Sequence, residues 1–279
     1  MHVRSAGSAV LVIVALLLAA VAGPSIWMQR NVVDEAGFVQ LAGPLGANKE
    51  FQDGLANVVA TQSAAQLALP PQLQNLAAEL IATVARSLSS QHGYADAWAE
   101  TLRRSHALTF APTADQNIAG ELNLDIAPLV GLVANNVSAD VGVKLPVPSE
   151  VLISVDQPAV AKTLPLVSAV AGAGVWFMVF AVALFALAVV VARYKARTVV
   201  LAGLGLALVV LAWLLGSNWV AGRFVDISPA NDVAAQFGSQ LGELVKESWQ
   251  WGIAAGFIVA GCLVVVGVLA RMVRRTPTA

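Results

Sequence analysis

Residues 164–197 read LPLVSAVAGAGVWFMVFAVALFALAVVVARYKAR, in which an apolar run from Leu164 to Ala192 ends in a basic turn. A helix needs about 20 apolar residues to cross about 30 Å of hydrocarbon, because backbone N–H and C=O groups find no water there. The run exceeds that length and contains no Asp, Glu, Lys, Arg or His. It therefore predicts a helix that spans a membrane.

Three further runs on either side of this stretch have the same character. They extend roughly from Ala9 to Met28, from Thr198 to Val220 and from Trp249 to Ala270, and none contains Asp, Glu, Lys, Arg or His. The whole chain is 58% hydrophobic and 12% charged, whereas about 25% charged residues is usual for a soluble domain. We therefore expect a mainly α membrane protein with a four-helix transmembrane bundle. The charge-free spans argue against ion-coupled transport by the bundle itself, which requires ionisable groups at depth.

The basic residues near the spans predict how the chain is threaded. These basic residues are Arg4 before the first span, Arg193, Lys195 and Arg197 between the second and third, and Arg271, Arg274 and Arg275 after the fourth. The three segments that contain them have no acidic residue. Positive charge near span ends is retained in the cytoplasm. We therefore expect a multi-pass protein of the plasma membrane with both termini cytoplasmic and with residues 30–163 and 221–248 extracytoplasmic.

The spans divide the chain into four predicted parts. Residues 1–29 hold the cytoplasmic start and the first span, residues 30–163 form an extracytoplasmic domain, residues 164–220 hold the second and third spans, and residues 221–279 form an outer amphipathic helix, the fourth span and a basic tail. The first span has a second interpretation, because its basic start, apolar core and Ala20-Val21-Ala22 also resemble a secretory signal with a cleavage site. Under either interpretation the domain at 30–163 is exported.

The first half of the extracytoplasmic domain is predicted to be helical. Asn48 is expected to cap a helix that ends near the Pro70-Pro71 pair. A second helix carries apolar residues at intervals of three or four, namely Leu73, Leu76, Leu80, Val84 and Leu88. A third is expected from about Tyr94 to His106, with Tyr94, Trp98 and Leu102 directed inward.

The second half of the domain changes to an alternating pattern, which predicts two strands. Apolar and polar residues alternate in Ile118 to Ile126 and in Val151 to Asp156. Between them a helix is expected to start at Pro128, with Asp125 as its cap. The connection of about 24 residues permits either a parallel or an antiparallel pair. The domain is therefore predicted to be α+β and helix-dominated.

The last outer segment predicts one long helix that continues into the fourth span. Ser228-Pro229 is a helix start, and no proline interrupts the segment before Ala270. One face carries Val233, Phe237, Leu241, Leu244 and Val245. About 40 residues would make a rod of about 60 Å, twice the hydrocarbon thickness. We expect the helices of the 30–163 domain to cover this apolar face.

Small residues recur at four-residue spacing on three of the spans: Ala15, Ala19 and Gly23, then Gly203 and Ala207, then Gly252, Gly256 and Ala260. Helices in a bilayer associate through close backbone approach at such residues. Two interpretations stay open. The stripes either hold the four spans together in one chain or leave a face for a partner or a second copy.

Common catalytic motifs are absent from the sequence, including H-E-x-x-H, G-x-S-x-G, the P-loop and G-x-G-x-x-G after a strand. The single cysteine, Cys262, lies within the fourth span, so it forms no intramolecular disulfide and no cysteine-based zinc site. His92 and His106, and the Asp34-Glu35 pair, are the candidates for ligand or acid–base roles, but packed and solvated roles explain them better. We predict no catalytic, cofactor-binding or metal-binding residue.

The chain resembles uncharacterised actinobacterial integral membrane proteins that have one span, an extracytoplasmic domain and three further spans. The residues that carry the resemblance are Val32-Val33-Asp34 with Phe38 and Pro44-Leu45, Trp98 followed by His106, and Leu122-x-Leu124-Asp125 running into Pro128-Leu129. The resemblance implies the four-span architecture and supplies no activity.

Two functions follow from these features as hypotheses. The first is a non-catalytic envelope protein whose outer domain binds a partner or ligand as a sensor or scaffold. The alternative is an accessory or pore-forming subunit of a transport system, assembled as a homo-oligomer through the small-residue faces. The outer segments carry 17 carboxylates against nine Lys and Arg, which disfavours nucleic acid and favours basic proteins or divalent cations.

Overall fold

The computed structural model describes residues 2–56, 87–110, 123–141, 147–154, 158–225 and 232–273. The chain forms two compact units. The bundle unit comprises Met1–Arg30, Leu166–Gly222 and Val245–Ala279, and the core unit comprises Asn31–Pro165 and Arg223–Leu244.

In chain order the helices are α1 (His2–Met28), α2 (Glu35–Ala42), α3 (described over 49–56), α4 (Tyr94–Phe110), α5 (Ala127–Val141), α6 (Pro158–Val191), α7 (Lys195–Val225) and α8 (Asp232–Val273), and the strands are β1 (Asn123–Asp125) and β2 (Leu152–Ser154). A π-helical turn, Gln29–Val33, follows α1, and 3₁₀ turns occupy Gly43–Ala47 and Leu88–Ser90.

The four predicted spans are confirmed as helices long and apolar enough to cross a membrane. They extend over Ser5–Val33, Leu164–Val191, Lys195–Ser217 and Gln240–Val273. The first and last are longer than the apolar runs alone predict, because the helical backbone continues beyond them at both ends. These helices indicate a multi-pass membrane protein.

Glycine sets the distance between α7 and α8 in the bundle unit. A Cβ atom at Gly203 would lie 2.9 Å from the carbonyl oxygen of Ala260 and 3.0 Å from the backbone nitrogen of Val264. A Cβ atom at Gly256 would lie 2.6 Å from Cγ2 of Val210. The two backbones can approach this closely only because neither glycine has a side chain.

Helix α1 packs against α6 and α7 through small and hydroxyl residues. A Cβ atom at Gly23 would lie 2.4 Å from the Trp213 ring, whose Nε1–H donates to the carbonyl of Ala20 at 2.9 Å. The Ser8 hydroxyl donates to the carbonyl of Ala188 at 3.0 Å. The small-residue stripes of α1, α7 and α8 therefore contribute Gly23, Gly203 and Gly256 to contacts within one chain.

Three tryptophans join α1, α7 and α8 in the bundle unit. The ring centroid of Trp249 lies 5.5 Å from that of Trp27 and 5.9 Å from that of Trp213, both in edge geometry. The Trp27 Nε1–H donates to the hydroxyl of Ser248 at 3.1 Å. Edge contacts of this kind add to the packing of large apolar rings, and the hydrogen bond satisfies the indole donor.

The two predicted strands pair in the antiparallel orientation. Asn123 lies opposite Ser154, Leu124 opposite Ile153 and Asp125 opposite Leu152. The described pairing is three residues long, and the predicted extensions at 118–122 and 155–156 lie outside the described residues. Helix α5 connects the strands, begins one residue before the expected Pro128, and buries Leu129 and Val133.

The hydrophobic core of the core unit is built around α4. Trp98 and Leu102 of α4 are buried with Phe51 of α3, and the Phe51 and Trp98 ring centroids are 5.2 Å apart. Leu241 and Leu244 of α8 pack against this core. The expectation that helices of the 30–163 domain cover these two residues is confirmed.

The predicted helices agree with the described residues except at Leu88, which begins a 3₁₀ turn and does not continue the second predicted helix. Asn48 caps α3, because its Oδ1 accepts a hydrogen bond from the Phe51 N–H at 3.0 Å. The predicted helix end at Pro70-Pro71 and most of the following helix lie outside the described residues. Helix α4 begins at Tyr94 as predicted and extends one turn beyond His106. The long helix is confirmed at 42 residues, and its predicted start at Ser228-Pro229 lies outside the described residues.

Substitution of Gly203 by alanine is expected to destabilise the bundle. The added methyl group meets backbone atoms of α8, which cannot rotate away, so we expect a loss of about 1–3 kcal/mol in the free energy of unfolding. Gly216 lies on the same helix, and a Cβ atom there would have no other atom within 4 Å, so Gly216→Ala is the matched control. Reversible unfolding in mixed micelles measures both variants. Equal stability of the two would contradict this account of the α7–α8 contact.

Candidate functional site

Among the described polar residues of the core unit, Asp125 at the end of β1 is held by several hydrogen bonds. Its side chain is buried, and Oδ1 accepts hydrogen bonds from the backbone N–H groups of Ala127 and Val151, each at 3.0 Å. The first bond caps α5, as the sequence predicts. The second holds the segment that leads into β2. One carboxylate oxygen therefore fixes both the helix start and the approach to the second strand.

Ser105 connects this carboxylate residue to α4. The backbone N–H of Asp125 donates to the Ser105 hydroxyl at 2.9 Å, and the hydroxyl donates to the carbonyl of Thr101 at 2.6 Å. The neighbouring Thr101 hydroxyl is also fully buried, and it has no hydrogen-bond partner among the described residues. Ser105 and Asp125 thus form one hydrogen-bond network. The Thr101 hydroxyl takes part in no hydrogen bond of that network and only fills space in the core.

A second, more exposed group of charges lies beside the network. Arg104 Nη1 lies 3.7 Å from Asp125 Oδ2 and donates to the carbonyl of Ser149 at 3.2 Å. Arg104 and Arg103 each contact the Glu100 carboxylate at 3.0 Å. Their hydrogen bonds, that of Arg104 first, lower the pKa of Glu100, and the bond to Glu100 raises the pKa of Arg104. Because these side chains are about 40% exposed, the pairs contribute little to stability.

His106 is packed between two aromatic rings rather than placed at a surface. Its ring stacks on Phe110 with centroids 4.6 Å apart and lies 5.3 Å from the Phe38 centroid. Nε2 is 3.1 Å from the carbonyl oxygen of Val32, in the π-helical turn after α1. A carbonyl only accepts hydrogen bonds, so Nε2 carries the hydrogen. These ring contacts and this hydrogen bond agree with the packed role that the sequence favours for His106.

The other sequence candidates lie apart from this network. Asp34 caps α2 by accepting from the Gly37 N–H at 3.0 Å, and both Asp34 and Glu35 are exposed. His92 is exposed in the turn before α4. Within the described ranges, no group of three or more His, Cys, Asp and Glu side chains is arranged to hold a metal ion.

Two side chains of α4 form hydrogen bonds with the 3₁₀ turn at Gly43–Ala47. The sequence pattern did not indicate these bonds. The Trp98 Nε1–H donates to the carbonyl of Gly43 at 3.1 Å, and the Tyr94 hydroxyl donates to the carbonyl of Gly46 at 2.9 Å. A Cβ atom at Gly46 would lie 2.5 Å from the Trp98 ring. The only sequence signal for this contact is the pair of glycines that flank Pro44-Leu45.

The arrangement is chemically suited to holding a fold. Asp125 Oδ1 has two backbone donors, His106 donates to a backbone carbonyl, and Asp34 caps a helix. Each of these groups therefore satisfies backbone N–H or C=O groups that would otherwise be costly to bury or to leave at a helix end.

Removing the Ser105 hydroxyl is expected to destabilise the core unit, and removing the Thr101 hydroxyl is not. Ser105→Ala leaves the buried N–H of Asp125 without an acceptor, at a cost of about 1–3 kcal/mol. Thr101→Val replaces an unpartnered buried hydroxyl by a methyl group of similar size, so the change is expected to be neutral or stabilising. Chemical unfolding followed by circular dichroism compares the two. A Thr101→Val loss as large as that of Ser105→Ala would contradict the assignment.

Tyr94 is expected to make stability depend on pH in the alkaline range. Burial raises its pKa from 10.0 to about 12, because the phenolate is poorly solvated in the core. Between these values the unfolded chain loses the proton and the folded chain keeps it. The stabilisation that protonated Tyr94 gives to the folded state is therefore complete below pH 10 and is lost as the pH rises towards 12.

Tyr94→Phe isolates this effect. Near neutral pH the variant is expected to be less stable by about 0.5–1.5 kcal/mol, because the bond to Gly46 is lost. From about pH 10 upwards the wild type is expected to lose about 1–2 kcal/mol of stability relative to the variant, so the difference falls to zero or changes sign. Tyr194 is the only other tyrosine, so the tyrosinate absorbance of a Tyr194→Phe protein reports on Tyr94 alone. A pH-independent difference between wild type and Tyr94→Phe would refute the expectation.

No protein-family model, curated protein or solved structure matches this chain. The resemblance to actinobacterial four-span proteins stays a prediction that rests on its own residues.

Proposed function

We propose that the chain is a non-catalytic membrane protein of the cell envelope whose core unit binds a basic protein partner outside the cytoplasm, as a sensor or scaffold. The proposal places both termini in the cytoplasm and the core unit on the opposite side of the plasma membrane.

The proposal rests on one observation: in the part of the chain that the structure describes, many carboxylates of the core unit are exposed and form no ion pair. Exposed carboxylates occur on several of its elements: Asp34, Glu35, Glu50, Asp53, Asp96, Glu150 and Glu243. Among the described residues none of these seven forms an ion pair, because the ion pairs there involve only Glu100 and Asp125. Unpaired surface charge of one sign attracts a partner of the opposite sign and accelerates its association.

The charge balance of the two units supports the orientation. The bundle unit contains nine Lys and Arg and one acidic side chain, Glu247, whereas the core unit contains 16 carboxylates and seven Lys and Arg. Positive charge near span ends is retained in the cytoplasm. The acidic unit is accordingly the one expected to be exported.

The use of the buried polar residues supports a non-catalytic role. A catalytic acid, base or nucleophile must reach a substrate, and it needs a pKa suited to proton transfer. Asp125 and His106 instead face backbone groups of their own unit. The described hydrogen bonds of both side chains therefore serve the fold.

Helix α8 gives the sensor form of the proposal a physical basis. It supplies Leu241 and Leu244 to the hydrophobic core of the core unit and residues 245–273 to the bundle unit. A partner that alters the packing of these two leucines would therefore act on a helix that also contains a membrane span.

The pore-forming alternative receives less support from the packing. It requires small-residue faces to assemble several copies. Gly23, Gly203 and Gly256 already contact other helices of the same chain, whereas Gly252 has no such contact within 4 Å among the described residues. Solute flux in proteoliposomes tests it directly, and flux by the purified chain would favour it over partner binding.

Site-directed cross-linking tests location and binding together. In a Cys262→Ser background, Lys49→Cys places a thiol on the exposed start of α3 and keeps its carboxylates, and Arg193→Cys places one in the turn between α6 and α7. A membrane-impermeant, photoactivatable maleimide applied to intact cells is expected to label the first position and not the second. Illumination is then expected to link one predominant protein of basic sequence to position 49, which mass spectrometry identifies.

Charge-neutral variants give the binding control. Glu50→Gln combined with Asp53→Asn is expected to weaken recovery of that partner at least about fivefold, since exposed charges mainly govern association. Asp96→Asn changes one carboxylate on α4 and controls for a general loss of negative charge. Labelling of position 193 but not 49 in intact cells would overturn the orientation. Recovery unaffected by the paired variant would overturn the acidic binding surface.

A further inference from the structure

The turn between α6 and α7 carries a compact group of exposed basic side chains. Arg193, Lys195 and Arg197 lie within five residues of one another, and all three are exposed. Tyr194 between them is 61% exposed, and the guanidinium carbon of Arg193 lies 5.5 Å from the centre of its ring. The turn therefore presents cationic groups together with an aromatic ring of the kind enriched at membrane interfaces.

A fourth basic residue is brought to the same end of the bundle unit by glycine packing. A Cβ atom at Gly267 of α8 would lie 2.6 Å from Val200 Cγ2 and 3.0 Å from the carbonyl oxygen of Ala196. Ala196 lies between Lys195 and Arg197, and Arg271 follows Gly267 by about one helical turn. Arg271 is exposed as well. The close approach at Gly267 thus gathers basic residues from both sides of the α7–α8 contact.

These charges have no counterion within the bundle unit. Its only acidic side chain, Glu247, precedes Arg271 by 24 residues on the same continuous helix. At 1.5 Å per residue that is a separation of about 36 Å along the helix, several times the Debye length of about 8 Å at physiological ionic strength. No acidic side chain of this unit therefore neutralises these charges.

The immediate neighbours of the basic group are apolar and exposed. Val190 is 68% exposed and Leu201 55% exposed, at the adjoining ends of α6 and α7. Both lie within predicted spans, where hydrocarbon covers such side chains. Cationic side chains one turn beyond a hydrocarbon-covered surface reach the depth at which lipid phosphate groups lie.

We propose that Arg193, Lys195, Arg197 and Arg271 form a binding surface for anionic glycerophospholipid headgroups. The lipid phosphate supplies the missing negative charge, and the acyl chains lie against the apolar surface that Val190 and Leu201 leave exposed. A free phosphate ion would satisfy the charge but not the apolar surface. This surface goes beyond the proposed partner binding and involves a different unit.

Lipid titration of the full-length protein tests the proposal. The purified chain in a neutral detergent is titrated with phosphatidylglycerol or with phosphatidylcholine, and native mass spectrometry gives the apparent Kd of the first bound lipid. We expect phosphatidylglycerol to bind at least about fivefold more tightly, since a single basic residue near an anionic surface contributes about that factor. Raising the ionic strength from about 0.01 M to about 0.15 M is expected to reduce the preference.

Neutral variants locate the surface. The combined variant Arg193→Gln, Lys195→Gln and Arg197→Gln is expected to remove the preference, and Lys195→Gln alone to reduce it about threefold to fivefold. Lys246→Gln removes a basic residue elsewhere in the bundle unit and is expected to leave the preference unchanged. If the combined variant does not fold, the Lys195→Gln variant and the salt series on the wild type still test the proposal.

Three results would overturn the proposal. They are equal affinity of the wild type for the two lipids, full retention of the preference in both neutral variants of the turn, and abolition of the preference by inorganic phosphate at the concentration of the lipid. The last result would assign the charges to a free anion instead of a lipid.

Discussion

The surrounding lipid gives the apolar helices of the bundle unit no hydrophobic reason to associate, because a leucine side chain is as well accommodated by acyl chains as by another helix. Association must then come from close packing and from a few hydrogen bonds. The α7–α8 backbone approach at Gly203 supplies the first, and the Ser8 and Trp213 bonds to backbone carbonyls supply the second. The pattern of small residues thus determines which faces meet, whereas large apolar residues determine only that the helices stay in the membrane.

The core unit obeys the opposite constraint, because burial of apolar area from water drives its assembly. The difficulty there is the backbone, whose N–H and C=O groups become buried wherever an element starts or ends. Asp125, Ser105 and Trp98 each satisfy such a group at a junction between elements. These polar residues at the centre of the unit therefore have a structural role at the junctions between its elements.

The parts predicted from sequence are those with a local cause. Spans follow from the length of apolar runs, the caps at Asn48 and Asp125 from residue types next to helix starts, and the buried face of α4 from a repeat of four residues. The antiparallel pairing and the Ser105–Asp125 bond were not predicted, because they join residues distant in sequence and depend on how elements meet. The π-helical turn at Gln29–Val33 was missed for a different reason, since its residue types carry no signal that distinguishes it from an α-helix.

The separation of charge between the units limits where recognition can reside. Asp125 and His106 are engaged with their own backbone, so under the proposed function partner recognition depends on exposed carboxylates such as Glu50 and Asp53. In the bundle unit the apolar runs contain no Asp, Glu, Lys, Arg or His, so the proposed lipid contacts involve the basic residues at the ends of those runs. Exposed charges act over several ångströms and tolerate small displacements, whereas buried networks do not. Recognition on such surfaces can change through substitution of surface residues while the caps and glycine contacts that define the fold stay intact.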